Sequence, residues 1–224
     1  MIPPADMAYT PTTGARRVHE APLVRATPKS LDGYGILVDD PEGFPIDIVR
    51  WPAQGWRAVD ANSGDQGGVV EGVFDFAWRG ETLFARNAAV GDSYLFGWSV
   101  WPEEARTEGT GRPRERALIW RANYHPDGGQ MVYPLDGQSF VAPLARPGDD
   151  VTPDSFIAFW FDGRQGLYIP PNVWHGAFTP HADAARFLDR QGAVHARVSV
   201  DFVKEFGCYL GVPLGQPDAE APDV

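Results

Sequence analysis

The sequence has little cysteine and no long apolar run, and each shortage excludes a class of protein. Its one cysteine, Cys208, cannot form an internal disulfide, which excludes a disulfide-stabilised secreted scaffold. The apolar runs fall short of the roughly 20 residues that cross a bilayer, and the first residues lack the basic-then-apolar layout of a signal peptide. We therefore expect a cytoplasmic protein with no membrane partner.

Basic residues are scarce beside acidic ones. The 224-residue chain has 19 Lys and Arg against 30 Asp and Glu, a formal net charge of −11 that repels a phosphate backbone, so nucleic acid is excluded as a partner. Lys29 and Lys204 are the only lysines, which leaves few nucleophiles for a Schiff-base mechanism. The arginines are the expected anion binders, because a planar guanidinium matches a carboxylate.

Glycine and proline are abundant and separate a series of short apolar and aromatic runs. The chain has 25 Gly and 21 Pro, and nearly every gap between runs holds Gly, Pro or Asp. This spacing is typical of an antiparallel sandwich or barrel and predicts an all-β fold. We expect at most one short helix, over 183–191.

The composition divides the chain into three parts. Residues 1–29 carry five prolines and are predicted to be an extended arm, 30–214 to be one β-domain, and 215–224 to be an acidic tail. We expect no chemistry in the arm or the tail. Residues 103–116 are dense in charge and predict a solvated loop between two strands.

The segment 117–125 predicts one strand with a polar end. Arg121, Asn123 and His125 share one face, while the other face is apolar and must be buried against a second sheet. A guanidinium, an amide and an imidazole in one line suit the mouth of a barrel.

Two motifs follow in an order that resembles the cupin superfamily. The first has two ligand positions two residues apart, a third ligand, and a glycine after six intervening residues; the second has a proline and a histidine after a tight turn. The matching residues here are Asn123, His125, Gln130 and Gly137, then Pro170 and His175. The resemblance implies a cupin-type double-stranded β-helix, an antiparallel jelly roll in which His125, Gln130 and His175 converge on one cavity.

The amino-acid sequence of these segments is similar to that of the ureidoglycolate lyase family over roughly residues 117–205. The family pattern His-Pro-x-x-x-Gln is present at 125–130, Gln-Gly at 165–166, and Trp-His at 174–175, with Tyr168 one place early. The chain departs from the family at three positions: Asn123 and Tyr124 replace a glutamate and an arginine, and Gly176 replaces a frequent second histidine.

The resemblance implies a carbon–nitrogen lyase that splits a small ureido-carboxylate into urea and glyoxylate in the catabolism of allantoin and purines. His125 and His175 would be acid and base, and Gln130 would complete the catalytic set. The expected substrate-binding residues are Arg121 for the carboxylate, Asn123 and Gln165 for the ureido group, and Tyr168 and Trp174.

Two other functions stay open: a metal-dependent cupin such as a dioxygenase or isomerase, and a module that binds a small carboxylate without turnover. A divalent Mn, Fe, Ni or Zn ion would be held weakly by His125, Gln130 and His175, since amides are poor ligands. We also expect a homodimer, because cupins commonly pair through sheet edges and the arm could lie across a neighbour.

Overall fold

The structure is a computed structural model that describes residues 7–50, 55–61, 63–64, 66–109, 111, 113–194 and 196–217. Its strands, in chain order, are β1 (Val18–Glu20), β2 (Leu23–Arg25), β3 (Ile36–Val38), β4 (Gln66–Arg79), β5 (Thr82–Asn87), β6 (Asp92–Trp98), β7 (Arg116–Ile119), β8 (Arg121–Tyr124), β9 (Gln130–Pro134), β10 (Phe140–Ala145), β11 (Ile157–Phe161), β12 (Gly166–Ile169), β13 (Trp174–His175), β14 (Thr179–Pro180), β15 (Ala184–Val194), β16 (Val198–Asp201) and β17 (Tyr209–Pro213). A 3₁₀ turn, Pro153–Ser155, and one short α-helix, α1 (Phe202–Phe206), complete the described elements. None of the described helical segments is long and apolar enough to span a bilayer.

The described strands form two sheets. The larger has ten strands in the order β1-β17-β7-β6-β5-β4-β15-β9-β12-β3, and the smaller has seven, β16-β8-β13-β10-β11-β2 with β14 beside β10. Phe140 of the smaller sheet meets Phe187 of the larger edge-on, with ring centroids 5.0 Å apart, inside the main core. The all-β, jelly-roll-like prediction is confirmed, although the described strands make two packed sheets and not one closed ring.

The helix predicted over 183–191 is wrong, because these residues lie within the long strand β15. Burial alternates along β15: the buried residues are Ala185, Phe187 and Asp189. The partly exposed residues are Leu188 and Arg190. This alternation has the period of a strand. β15 pairs with β4 on one side and β9 on the other, and those tertiary contacts select the extended form of this segment.

The strand predicted over 117–125 is divided at Trp120. β7 pairs with β17 and β6 in the larger sheet, and β8 pairs with β16 and β13 in the smaller one. Trp120 itself packs beside Trp98 on the outer side of the larger sheet, with ring centroids 5.3 Å apart. The chain therefore changes sheets at this residue, and Arg121, Asn123 and His125 end up facing the space between the sheets.

The N-terminal arm packs on the domain itself. β1 runs parallel to β17, and β2 runs parallel to β11, so each extends one sheet at its edge. Further upstream, Met7 forms a parallel bridge to Ser93 at the start of β6. The loop predicted at 103–116 does connect β6 to β7, and its described part is largely solvent-exposed.

Candidate functional site

A cavity opens between the two sheets, and five of the predicted site residues line it. Its volume is about 80 Å³. The five residues are Arg121, Asn123, His125, Gln130 and His175. Further lining residues that the motifs did not indicate include Tyr9, Asn87, Tyr94, Phe96, Gln191 and Arg197. Tyr9 belongs to the arm, for which no chemistry was expected, and it lines this cavity.

The two imidazoles are held in the same tautomer. Nδ1 of His125 lies 2.9 Å from the carbonyl oxygen of Ala196, and Nδ1 of His175 lies 3.2 Å from that of Val173. A carbonyl only accepts, so each Nδ1 carries the proton and donates it. The unprotonated Nε2 atoms are then acceptors, and the ring centroids are 5.0 Å apart.

Asn123 joins the two imidazoles. Antiparallel pairing of β8 with β13 sets Asn123 opposite His175, and its Nδ2 lies 3.2 Å from Nε2 of His175 and 3.3 Å from Nε2 of His125. The amide has two hydrogens, so it can donate one to each ring. An amide at this position supports two neutral imidazoles, which act as bases or hydrogen-bond acceptors.

Burial keeps His175 neutral. Its side chain is enclosed, and desolvation lowers its pKa to about 4, against a smaller opposing effect of the Val173 carbonyl. The ring is therefore uncharged at neutral pH. An anion bound beside it would favour the imidazolium and make proton uptake easier.

A group of three residues, Tyr9, Arg121 and Arg197, lines the same cavity as the imidazoles and is called the cationic wall below. The guanidinium of Arg121 lies 3.5 Å from the centre of the Tyr9 ring and that of Arg197 lies 4.9 Å from it. Asp60 forms an ion pair with Arg121, and its Oδ2 is 3.8 Å from Nε of Arg197. Ser199 donates to the same carboxylate oxygen at 2.8 Å.

This wall has more donors than acceptors. Tyr9 Oη, Arg121 Nε and Arg197 Nε are buried and have no hydrogen-bond partner within the described part of the chain. Burial raises the pKa of Tyr9, so its hydroxyl stays protonated despite the two guanidinium groups. Two carboxylates act on this region: Asp60 pairs with both guanidinium groups, and Asp92, which accepts from the Tyr94 hydroxyl at 3.1 Å, also raises the pKa of Tyr9. Buried donors without a partner are what a small anion would bind.

Buried amides complete the cavity. Asp189, with no solvent exposure, accepts from Nε2 of Gln130 at 2.6 Å and from Nδ2 of Asn87 at 2.9 Å. Burial raises the pKa of Asp189 to about 6, and the two amide donors partly offset that rise. Its carboxylate is thus mainly ionised at neutral pH.

Three predicted substrate-binding residues do not line this cavity. Gln165 is on the surface, where its Nε2 donates to Asp39 at 2.6 Å. Tyr168 points to the outer side of the larger sheet, packs with Met131, and donates to Asp47 at 2.5 Å. Strand parity explains Tyr168, because its neighbours in β12, Leu167 and Ile169, occupy the inner face.

Trp174 is a core residue. It is fully buried, its Nε1 donates to the Gly148 carbonyl at 2.7 Å, and its ring meets that of Tyr124 edge-on at 4.7 Å. We expect Trp174→Phe to lower the free energy of unfolding by about 2 kcal/mol, from a lost hydrogen bond and a small void, while ligand affinity stays within about twofold. Urea denaturation and titration calorimetry measure the two quantities.

The matched control is Trp56→Phe. Trp56 also donates its indole N–H, to Asp150 at 2.9 Å, but is 67% exposed, so its replacement should cost less than about 0.5 kcal/mol. A loss of affinity larger than the loss of stability in Trp174→Phe would assign Trp174 to the ligand site.

Gly176 explains why this chain has no second histidine after Trp-His. A Cβ atom at this position would lie 2.6 Å from Cδ1 of Ile119 and 2.9 Å from Cγ of Pro143. The two sheets approach each other too closely here for a side chain. The departure from the family pattern is thus a packing requirement.

The donor set does not fit a firmly held divalent ion. Among the described residues no group of three or more His, Cys, Asp or Glu side chains is placed to hold a metal. His125 and His175 offer two neutral nitrogens with the Asn123 amide between them, whereas firm divalent sites usually have at least three imidazole or carboxylate ligands. The chemistry of this site is therefore assigned to its own side chains.

Comparison with known proteins supports the family resemblance over the same segment. Residues 117–202 match the family model described as ureidoglycolate lyase. A ureidoglycolate lyase of Azotobacter vinelandii is 39% identical over 71 residues, which are 31% of this chain and 43% of that protein. One of Rhodobacter capsulatus is 37% identical over 98 residues, 43% of this chain and 56% of that protein. The chain thus spans about half the length of these curated relatives.

Proposed function

We propose that the chain, whose residues 117–202 match the ureidoglycolate lyase family model, cleaves a small ureido-carboxylate, ureidoglycolate or a close analogue, into urea and glyoxylate. One observation carries the proposal: two imidazole Nε2 acceptors, and three buried donor atoms of Tyr9, Arg121 and Arg197 that have no partner in the described part of the chain, belong to residues that line the same cavity. A base beside an anion site is what elimination from a hydroxy acid requires.

The reaction needs a proton to be moved and no other reactant. One imidazole Nε2 exchanges its hydrogen bond from Asn123 for one from the substrate hydroxyl and takes that proton. The C–O bond becomes a carbonyl, and the electron pair of the breaking C–N bond passes to the departing ureido nitrogen. That nitrogen receives a proton from imidazolium, so urea and glyoxylate leave and both rings are neutral again. The Nδ1 hydrogen bonds to Ala196 and Val173 keep the two Nε2 atoms as the groups that exchange protons.

The cationic wall would hold the substrate carboxylate. Arg121 was the residue expected from the sequence, but its guanidinium is already paired with Asp60 and Ser199. Arg197 makes only the longer ion pair with Asp60, so we propose Arg197 as the main carboxylate ligand, with Tyr9 donating its hydroxyl. A carboxylate bound here would also raise the pKa of a neighbouring imidazole and favour proton uptake.

Urea release tests the activity. The purified chain is incubated with ureidoglycolate, and urea and glyoxylate are measured against the spontaneous rate. Formation of both products in equal amounts supports the lyase. Tight binding of the substrate without turnover would instead support the carboxylate-binding module, and neither binding nor turnover would overturn the proposal.

Arg197→Lys should raise KM by about tenfold or more with little change in kcat, because an ammonium replaces a bidentate fork at a residue that binds but does not transfer protons. Steady-state kinetics measure the effect. Arg186→Lys is the control, since Arg186 is exposed and paired with Asp136 outside the cavity. Equal kinetics in the two variants would remove Arg197 from the site.

The setting predicted from the sequence forms part of the proposal. The enzyme would act in the cytoplasm as a homodimer and release urea during allantoin and purine catabolism.

A further inference from the structure

Asp189 is a buried carboxylate next to the cavity that the reaction itself does not use. It lies in the middle of β15 with no exposed surface, and each of its oxygens accepts from a different amide, Gln130 and Asn87. Both amides line the cavity, whereas Asp189 is behind them. Whatever Asp189 does to a ligand, it does through these two side chains.

An ionised carboxylate only accepts hydrogen bonds, so both amides must turn their NH₂ groups toward it. The carbonyl end of Asn87 is taken by the backbone N–H of Ala89 at 2.9 Å. The carbonyl end of Gln130 has no partner among the described residues. Gln130 therefore offers the cavity an acceptor, Oε1, and its orientation is not free to adapt to the ligand.

We infer that Asp189 is a positioning residue that fixes Gln130 as an acceptor and thereby selects ligands that carry an N–H donor, such as a ureido or amide group. The inference rests on the proposed function for its ligand class. A site with a fixed acceptor disfavours an analogue that lacks the donor, because the buried acceptor then stays unpaired.

Asp189→Asn reverses the arrangement with almost no change in shape. Asn87 cannot turn, since both ends of its amide are engaged, so the new Oδ1 keeps the Asn87 hydrogen bond. The new Nδ2 then faces Gln130, and Gln130 must rotate its amide to accept from it. The cavity is left with a donor in place of an acceptor.

Two stable ligands of equal shape measure this selectivity. Hydantoate is ureidoglycolate without its hydroxyl, and levulinate has CH₃ and CH₂ where hydantoate has NH₂ and NH. The unsubstituted protein should bind hydantoate about tenfold or more tighter than levulinate. In Asp189→Asn this preference should fall to about onefold, while Asp75→Asn, a change at an exposed aspartate of β4, should leave it unaltered.

Neutron diffraction of the free proteins provides a readout that does not depend on any ligand. The Gln130 amide deuterons should point to Asp189 in the unsubstituted protein and to the cavity in Asp189→Asn. Should Asp189→Asn not fold, Gln130→Met removes the acceptor directly and should abolish the preference for hydantoate.

An unchanged ligand preference in the folded variants, or an unrotated Gln130 amide, overturns the inference while leaving the lyase proposal intact. Failure of both ligands to bind the unsubstituted protein counts against the proposed function, and the diffraction result then decides the role of Asp189 alone.

Discussion

Replacing either cavity histidine with glutamine should lower kcat for ureidoglycolate cleavage by about 100-fold to 10,000-fold, the range for removal of a general acid or base. Glutamine keeps a hydrogen-bonding group at His125 or His175 but cannot exchange a proton near neutral pH. Steady-state assays of urea release measure the loss. We expect the double variant to be little worse than the poorer single one, because both rings serve one proton cycle.

His19→Gln is the control for this experiment. His19 is outside the cavity, on β1, 3.6 Å from Asp154, and its replacement should leave kcat within about twofold. If His125→Gln and His175→Gln kept full activity while a residue elsewhere abolished it, the chemistry would have to be assigned to another site.

The free energy of unfolding at acid pH should depend on two buried groups, His175 and Asp189, whose pKa shifts have opposite effects on it. The folded-state pKa of His175 is lowered from 6.5 to about 4, so its contribution to stability is lost as the pH falls through that interval. The pKa of Asp189 is raised from 3.8 to about 6, so its contribution is lost as the pH rises through nearly the same interval. Each shift corresponds to about 3 kcal/mol.

Single variants should separate these contributions. Between pH 7 and 4, Asp189→Asn should become less stable relative to the unsubstituted protein by about 3 kcal/mol, and His175→Gln should become more stable relative to it by about as much. Urea denaturation followed by tryptophan fluorescence at several pH values gives both differences. Parallel pH profiles for all three proteins would show that neither group has the shifted pKa.

The sequence indicated the fold class because alternation and turn residues act locally. Runs such as 140–145 and 157–161 are bounded by Gly, Pro or Asp and became strands β10 and β11. The strand over residues 183–191 was not predicted, and its Asp189 is satisfied inside the fold by amides from other strands. No local pattern reports such distant partners.

The cavity residues also include some that sequence patterns indicate and others that they do not. His125, Gln130 and His175 were found because motif spacing reports which residues two paired strands bring together. Arg197 immediately precedes β16, in which Val198 and Val200 are buried, but nothing in the sequence indicates that its side chain lines the cavity. Tyr9 and Asn87 come from remote segments without a motif, and only the packing of β5, β6 and the arm places them.

The parallel bridge between Met7 and Ser93 joins the N-terminal arm to the start of β6. Both imidazoles lie within the segment that matches the family model, whereas Tyr9, Asn87, Tyr94 and Phe96 enter the cavity from residues that precede it. Part of the cavity lining therefore comes from outside that segment. Mutagenesis libraries confined to residues 7–9 and 87–96 can vary the size of the accepted molecule while leaving both imidazoles as they are.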